Sequence, residues 1–125
     1  MSTEPYKDSL AFIGTGRLAT GLALALYANG ITIGAVAGRS AANARALAAR
    51  IEGCEALSAQ EAIDRHALVF VAVPDDSIAQ VTDSLHWRSG QAVVHCSGAT
   101  EVSALDAARR AGAQTGGFHP LQTFT

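Results

Sequence analysis

Between Ser9 and Ile51 the sequence contains no acidic residue, although Arg17, Arg39, Arg45 and Arg50 all fall within that stretch. Cysteine is equally sparse. Cys54 and Cys96 are the two present, with no CxxC spacing around either, which excludes a disulfide framework and a zinc-finger arrangement and leads us to expect reduced thiols and no metal. There is no basic excess: the net charge is -2, which argues against a polyanion-binding surface and so against nucleic acid as a partner. Nor is there a leader-like start. Residues 1–8 are polar and include Glu4 and Asp8, unlike a signal or transit peptide, so residues 1–9 are expected to be a short disordered lead-in and the chain to be cytoplasmic. Residues 18–38 lack any charge and are long enough to cross a bilayer. Asn29-Gly30 divides them, however, into helix formers followed by the β-branched, glycine-containing Ile31-Thr32-Ile33-Gly34-Ala35-Val36-Ala37, so we read a helix and then a strand, with no membrane partner.

What remains is apolar. Of 125 residues 49% are hydrophobic and 16% charged, the balance of a single well-buried α/β domain, here residues 10–125. Apolar strand-like runs alternate with helical patterns. Residues 10–13 predict a first strand and residues 17–29 a helix with Leu18, Leu22 and Leu26 on its inward stripe, stopped by Gly30. Residues 31–37 predict a second strand and residues 41–51 an alanine-rich helix with Leu47 and Ile51 inward. A weak third strand is expected at 54–57. Ser58-Ala59-Gln60-Glu61 has the form of a capping box opening a helix to about Arg65. The unbroken run 67–73 is too β-branched for a helix and lacks alternation, so it should be a central strand buried on both faces. A helix over 77–85, a strand over 92–96, a helix from Thr100 to Ala111 with Val102 and Leu105 inward, and a strand over 113–118 complete the order. Strictly alternating β and α elements imply a doubly wound, mostly parallel sheet of about six strands.

The feature that organises this order is the first strand's ending, Gly14-Thr15-Gly16-Arg17-Leu18-Ala19-Thr20-Gly21. Closely spaced glycines allow a tight turn and let backbone approach a ligand, and the helix that follows aims its unpaired N–H groups at the same place, which suits a pyrophosphate. By itself the triplet is equally an ordinary strand-to-helix turn. In parallel sheets ligands lie beyond the carboxyl ends of the strands, and the polar residues gather there: Gly14 to Arg17, Gly38-Arg39-Ser40, Val73-Pro74-Asp75-Asp76, His95-Cys96-Ser97-Gly98 and His119-Pro120. At the end of the second strand an NAD site usually carries an acid that accepts from the ribose hydroxyls. Arg39-Ser40 stand there instead, and a guanidinium with a hydroxyl suits the 2′-phosphate of NADP. The alternative is that Arg39 merely ends a strand in solvent. His95 and His119 share the rim, and each is either a proton donor toward substrate or a structural histidine bonded to backbone. Cys96, ending an apolar run, reads as buried and inert rather than nucleophilic. Asp75 and Asp76 read first as helix-start acids.

Phe12-Ile13-Gly14-Thr15-Gly16-Arg17-Leu18, Val71-Ala72-Val73-Pro74-Asp75-Asp76, His95-Cys96-Ser97-Gly98-Ala99 and Gly117-Phe118-His119-Pro120-Leu121-Gln122-Thr123-Phe124 together resemble the N-terminal Rossmann-type domain of oxidoreductases that carry a following DUF2520 domain. That group is similar to the pyrroline-5-carboxylate reductase, F420-dependent NADP oxidoreductase and 6-phosphogluconate dehydrogenase superfamily. The resemblance implies NADP (NADPH) bound through Gly14, Thr15, Gly16, Arg17, Leu18 and Gly21, with Arg39 and Ser40 at the 2′-phosphate. It further implies that Val73, Pro74, Asp75, Ser97 and Gly98 lie near the nicotinamide half. It implies hydride transfer to or from a small C=O or C=N substrate, whose identity is open. Relatives continue into a helical C-terminal domain that closes the substrate site and forms a dimer, and this chain ends where that domain would begin. A homodimer or the missing domain is therefore expected to complete the site. A second expectation is a non-catalytic dinucleotide-sensing module that works through a partner chain.

Overall fold

The computed structural model describes residues 9–96 and 102–117. Strand β1 (Ser9–Ile13) leads into helix α1 (Arg17–Ala28), followed by β2 (Thr32–Ala37), α2 (Ala41–Ala48), β3 (Glu55–Ala56), α3 (Ala59–Asp64) and β4 (Leu68–Val71). A 3-10 turn (Asp75–Ser77) opens α4 (Ile78–Asp83); β5 (Ala92–His95), a second 3-10 turn (Val102–Leu105), α5 (Asp106–Arg110) and β6 (Gln114–Gly117) complete the order. The six strands form one sheet in the order β3-β2-β1-β4-β5-β6, with every pairing parallel. This is the doubly wound Rossmann arrangement, whose strand order reverses between β1 and β4.

Local chemistry accounts for most element ends. Gly30, at φ +89°, follows α1 in the left-handed conformation that glycine adopts without strain, which is why the uncharged stretch stops being helix there. Ser58 accepts from the Glu61 N–H while the Glu61 side chain bonds back to the Ser58 N–H, a complete capping box worth about 1 kcal/mol to α3. Helix α2 ends at Ala48, before the expected Ile51. Ile51 is still buried, brought in by the turn after the helix.

Two apolar layers flank the sheet. On one face Ala11, Ile13, Ala35, Val69, Val71 and Val93 pack beneath α3, α4 and α5 with Ile63, Ile78, Trp87 and Leu105. On the other, Phe12, Ile33 and Val36 pack beneath α1 and α2 with Ala19, Leu22, Ala23, Ala44 and Leu47. Parallel strands linked by right-handed crossovers reach opposite faces as the chain winds first one way from β1 and then the other, which places these helices. A consequence corrects the expectation that the 67–73 run is buried on both sides: β4 is four residues long, and its Leu68 and Phe70 are only half-buried. They share the α1 and α2 face, but those helices cover β1 to β3, and among the described residues no helix covers β4 to β6 there. Phe70 leans on Phe12, with ring centroids 5.2 Å apart. Val102, expected inward, is also exposed, while Leu105 is fully buried.

Gly34 marks an irregularity in β2. Leu10 pairs with Ile33 and Ala11 with Ala35, so Gly34 is an extra residue bulged out of the ladder, and Ile33 and Ala35 therefore face opposite layers. A Cβ on Gly34 would strike the His66 imidazole, which lies buried against it with Nδ1 2.8 Å from the Ala62 carbonyl. Burial holds His66 below its ordinary value of 6.5, and nearby Arg65 adds to the effect against the opposing Ala62 and Glu55 contributions. The unfolded chain therefore takes up this proton first as the pH falls through about 6.5, and the native state resists until its lower value is reached. Stability is expected to be level above about 6.5, to decline as the pH falls from there, and to level off below the native value. Urea denaturation from pH 7.5 to 5 should show the decline in the wild type and a flatter profile in His66→Gln; parallel profiles would assign the dependence to other groups.

Candidate functional site

The carboxyl ends of β1, β2 and β4 open onto one cleft of about 640 Å³. Its floor is the β1–α1 loop. Gly14, at φ +124°, donates its N–H to the Ala37 carbonyl at 2.6 Å, and a Cβ there would land on the Ala72 carbonyl oxygen. The first glycine is thus required by three strands meeting. Gly16 differs. It is the N-cap of α1 in ordinary extended geometry (φ -76°, ψ -168°), no side chain caps the helix, and a Cβ built on it meets no protein atom within 4 Å. Its missing side chain leaves space in the cleft rather than in the core. Gly21 is likewise open and does not line this cleft; with Thr20, Leu24 and Arg50 it lines an adjoining shallow depression that shares Thr15, Gly16 and Arg17 with the cleft. Ala19, fully buried, lets α1 sit close on the sheet, as expected for the third small position.

At the β2 end Gly38, Arg39, Ser40 and Asn43 line the cleft. A Cβ on Gly38 would come 2.7 Å from Thr15 Oγ1, so this glycine lets the β2 end close on the phosphate-type loop. The Ser40 hydroxyl accepts from the Asn43 N–H at 3.1 Å and caps α2. With that bond made, its own proton is free to be aimed into the cleft. No acid stands in the first turn of α2 or of α1. Across the cleft Val73, Pro74, Asp75 and Ser77 come from the end of β4, while Ala59, Val81, Ser84 and Leu85 make an apolar wall with one hydroxyl.

Among the sequence-predicted residues Gly14, Thr15, Gly16, Arg17, Leu18, Arg39, Ser40, Val73, Pro74 and Asp75 all line this one cleft. Leu18 does so at 46% exposure, not inward as its place on the helical stripe suggested, because the buried face of α1 is centred on Ala19, Leu22 and Ala23 and Leu18 falls at its margin. His95 is 1% exposed, shares its strand face with Val93 on the α3 to α5 side, and does not line the cleft. Cys96 is buried, and desolvation pushes its thiol up to about 12; Cys54 rises to about 11 by burial with Glu55 adding. Neither is a nucleophile at neutral pH. Ser97, Gly98 and His119 lie outside the described residues, as does the expected Thr100 cap. Asn43, Ala59, Ser77, Val81, Ser84 and Leu85 were missed. Ala59 comes from α3, and Val81, Ser84 and Leu85 from α4 and the residues after it, remote in sequence and without a ligand-binding motif, while Ser77 ends the 3-10 turn after β4; Asn43 had a signal, three residues beyond Ser40 in the first turn of a helix facing the rim. Among the described residues no three His, Cys, Asp or Glu side chains gather where they could hold a metal ion, and no helix is long and apolar enough to cross a membrane.

The arrangement fits a dinucleotide phosphate. The space at Gly16 is one that a Cβ would fill, the α1 N-terminus offers N–H donors, and guanidinium and hydroxyl stand at the β2 end, where the first turn of α2 carries no acid.

Comparison with known proteins agrees. The model of one family, NADP oxidoreductase coenzyme F420-dependent, matches residues 9–111. No curated protein matches the chain significantly by sequence. Similar solved structures include a reductive aminase from Aspergillus terreus in complex with NADPH and ethyl-5-oxohexanoate, at 21% identity and TM-score 0.73 over 87% of this chain and 39% of that one. An imine reductase from a Pseudomonas species is 25% identical, with TM-score 0.72 over 88% of this chain and 41% of its own. An imine reductase from Bacillus cereus is 22% identical, with TM-score 0.65 over 86% and 38%. The chain thus spans about two fifths of the length of these solved relatives.

Proposed function

The chain belongs to the NADP oxidoreductase, coenzyme F420-dependent, family, and from that premise we propose that it is the NADP(H)-binding domain of an enzyme that moves hydride between nicotinamide and a small C=O or C=N substrate. The observation that carries this reading is the continuity of one cleft from Arg39 and Ser40, past the Gly14 to Leu18 loop, to Val73 and Asp75. In it the α1 N-terminus and the open space at Gly16 seat the pyrophosphate, Arg39 and Ser40 donate to the 2′-phosphate, and the wall of Ala59, Val81 and Leu85 receives the adenine. Val73 and Pro74 bound the nicotinamide half, with Ser97 and Gly98 expected beside them. The cofactor, when bound, supplies the hydride chemistry at its C4 carbon. The protein supplies orientation and exclusion of water.

Imine reductases and a reductive aminase stand among the similar structures beside a protein assigned as a myo-inositol dehydrogenase, so the acceptor class is C=N or C=O. Of the two rim histidines, His119 keeps the role of proton donor in this reading, because His95 is buried away from the cleft. A C-terminal domain or a second copy completes the substrate pocket, a DUF2520 domain being the one the rim motifs suggest. Fluorescence titration with NADPH, and NADH as control, tests the cofactor assignment. Saturable NADPH binding at least about 10-fold tighter than NADH, a difference of ~1.4 kcal/mol, is expected. Binding of neither nucleotide overturns the reading.

A further inference from the structure

We propose that Asn43 sets how strictly this cleft demands a 2′-phosphate; the inference rests on the NADP reading above and names the residue that tunes it. The three polar side chains at the β2 end are chemically unequal. Arg39 only donates. Ser40 accepts the Asn43 N–H at 3.1 Å, which uses one of its two lone pairs and leaves its proton to donate toward a ligand. Both therefore call for an acceptor, which a phosphate provides on every oxygen. A ribose 2′-hydroxyl can also donate; Arg39 cannot take that proton, and Ser40 has a single lone pair left for it.

Asn43 adds both an acceptor and a donor to the same end of the cleft. It sits in the first turn of α2, lines the same cleft, is exposed, and its backbone N–H is already used in the cap. Its side-chain amide holds an acceptor oxygen and a two-proton donor on opposite corners of one plane. Turned one way it donates to a phosphate; turned the other it accepts from a hydroxyl. An uncharged residue of this kind, where an acid or a cation would choose outright, leaves the site preferring NADP while still admitting NAD weakly.

Substitution should move the preference in both directions without harming the fold. An acid in the first turn of a helix is favoured by the helix dipole, and α2 has none there, so Asn43→Asp should fold at least as well as the wild type. The carboxylate accepts from a ribose hydroxyl and repels a phosphate. In parallel fluorescence titrations Asn43→Asp is expected to weaken NADPH by roughly 30-fold and tighten NADH about 3-fold, a combined shift near 100-fold in the ratio, the order of two charge-assisted bonds changing sign. Asn43→Lys should shift the ratio about 10-fold the other way. Ala42→Asp places the same charge one residue away, outside the cleft lining, and is expected to change the ratio less than about 3-fold, as a solvent-screened charge does. A ratio in Asn43→Asp within about 2-fold of the wild type, or an equal shift in Ala42→Asp, overturns the role of Asn43 while the NADP reading stands on wild-type binding. If the wild type binds neither nucleotide, that reading falls and this one with it.

Discussion

Gly16→Val is expected to eliminate NADPH binding, by at least about 100-fold or ~2.7 kcal/mol, in a protein whose circular dichroism spectrum is unchanged. The reason is where the added carbons go. At φ -76° a side chain is sterically allowed, and a Cβ meets no protein atom within 4 Å, so the branched side chain lies in the cleft where a pyrophosphate must reach the α1 N–H groups. Losing glycine for valine at an N-cap costs about 1 kcal/mol, seen as a fall of several degrees in Tm. Gly14→Ala should do the reverse. At φ +124°, with its Cβ aimed at the Ala72 carbonyl, even one methyl forces β1 and β4 apart, at a cost on the order of 3 kcal/mol or more, and the main result is loss of folded protein. Thermal denaturation and NADPH titration on both variants check the contrast. A Gly16→Val protein that still binds would put the cofactor elsewhere; a Gly14→Ala protein as stable as the wild type would contradict the approach of the β1 end to β4.

The division between these glycines shows what a sequence can and cannot carry. Both were legible as members of a turn, because a strand, close glycines and a helix occupy consecutive residues. That one serves packing and the other leaves ligand space depends on Ala72, which joins them only through the sheet. The same holds elsewhere. The capping box at Ser58 and the Gly30 stop were readable because their partners lie within one turn, and the parallel order followed from alternation of elements. Gly34 was legible only as a glycine in a strand; its cause is His66, delivered by α3. Leu18 belonged to an apolar stripe by period, and only the packing of Ala19, Leu22 and Ala23 on the sheet leaves it at the margin, facing the cleft. The half-open face at Leu68 and Phe70 depends on which side each crossover runs, information held by the chain as a whole.

Arg39→Glu is the sharpest test of cofactor choice. The guanidinium lines the cleft at the end of β2 beside Ser40, and no acid between Ser9 and Ile51 competes for it within that stretch of sequence. A charge-assisted bond to phosphate contributes ~1.5–3 kcal/mol, and replacing the donor by a carboxylate adds repulsion against a dianionic group. NADPH affinity should therefore fall by about 100-fold or more. NADH has a hydroxyl at that position, which a carboxylate can accept from, so its affinity should change less than about 3-fold or improve. The loss should shrink in high salt as the repulsion is screened. Because Arg39 is exposed, its replacement leaves the core untouched, and an unchanged melting temperature is expected alongside. Equal losses for both nucleotides would mean that Arg39 supports the shape of the cleft and that the 2′-phosphate, if bound, is held by other residues.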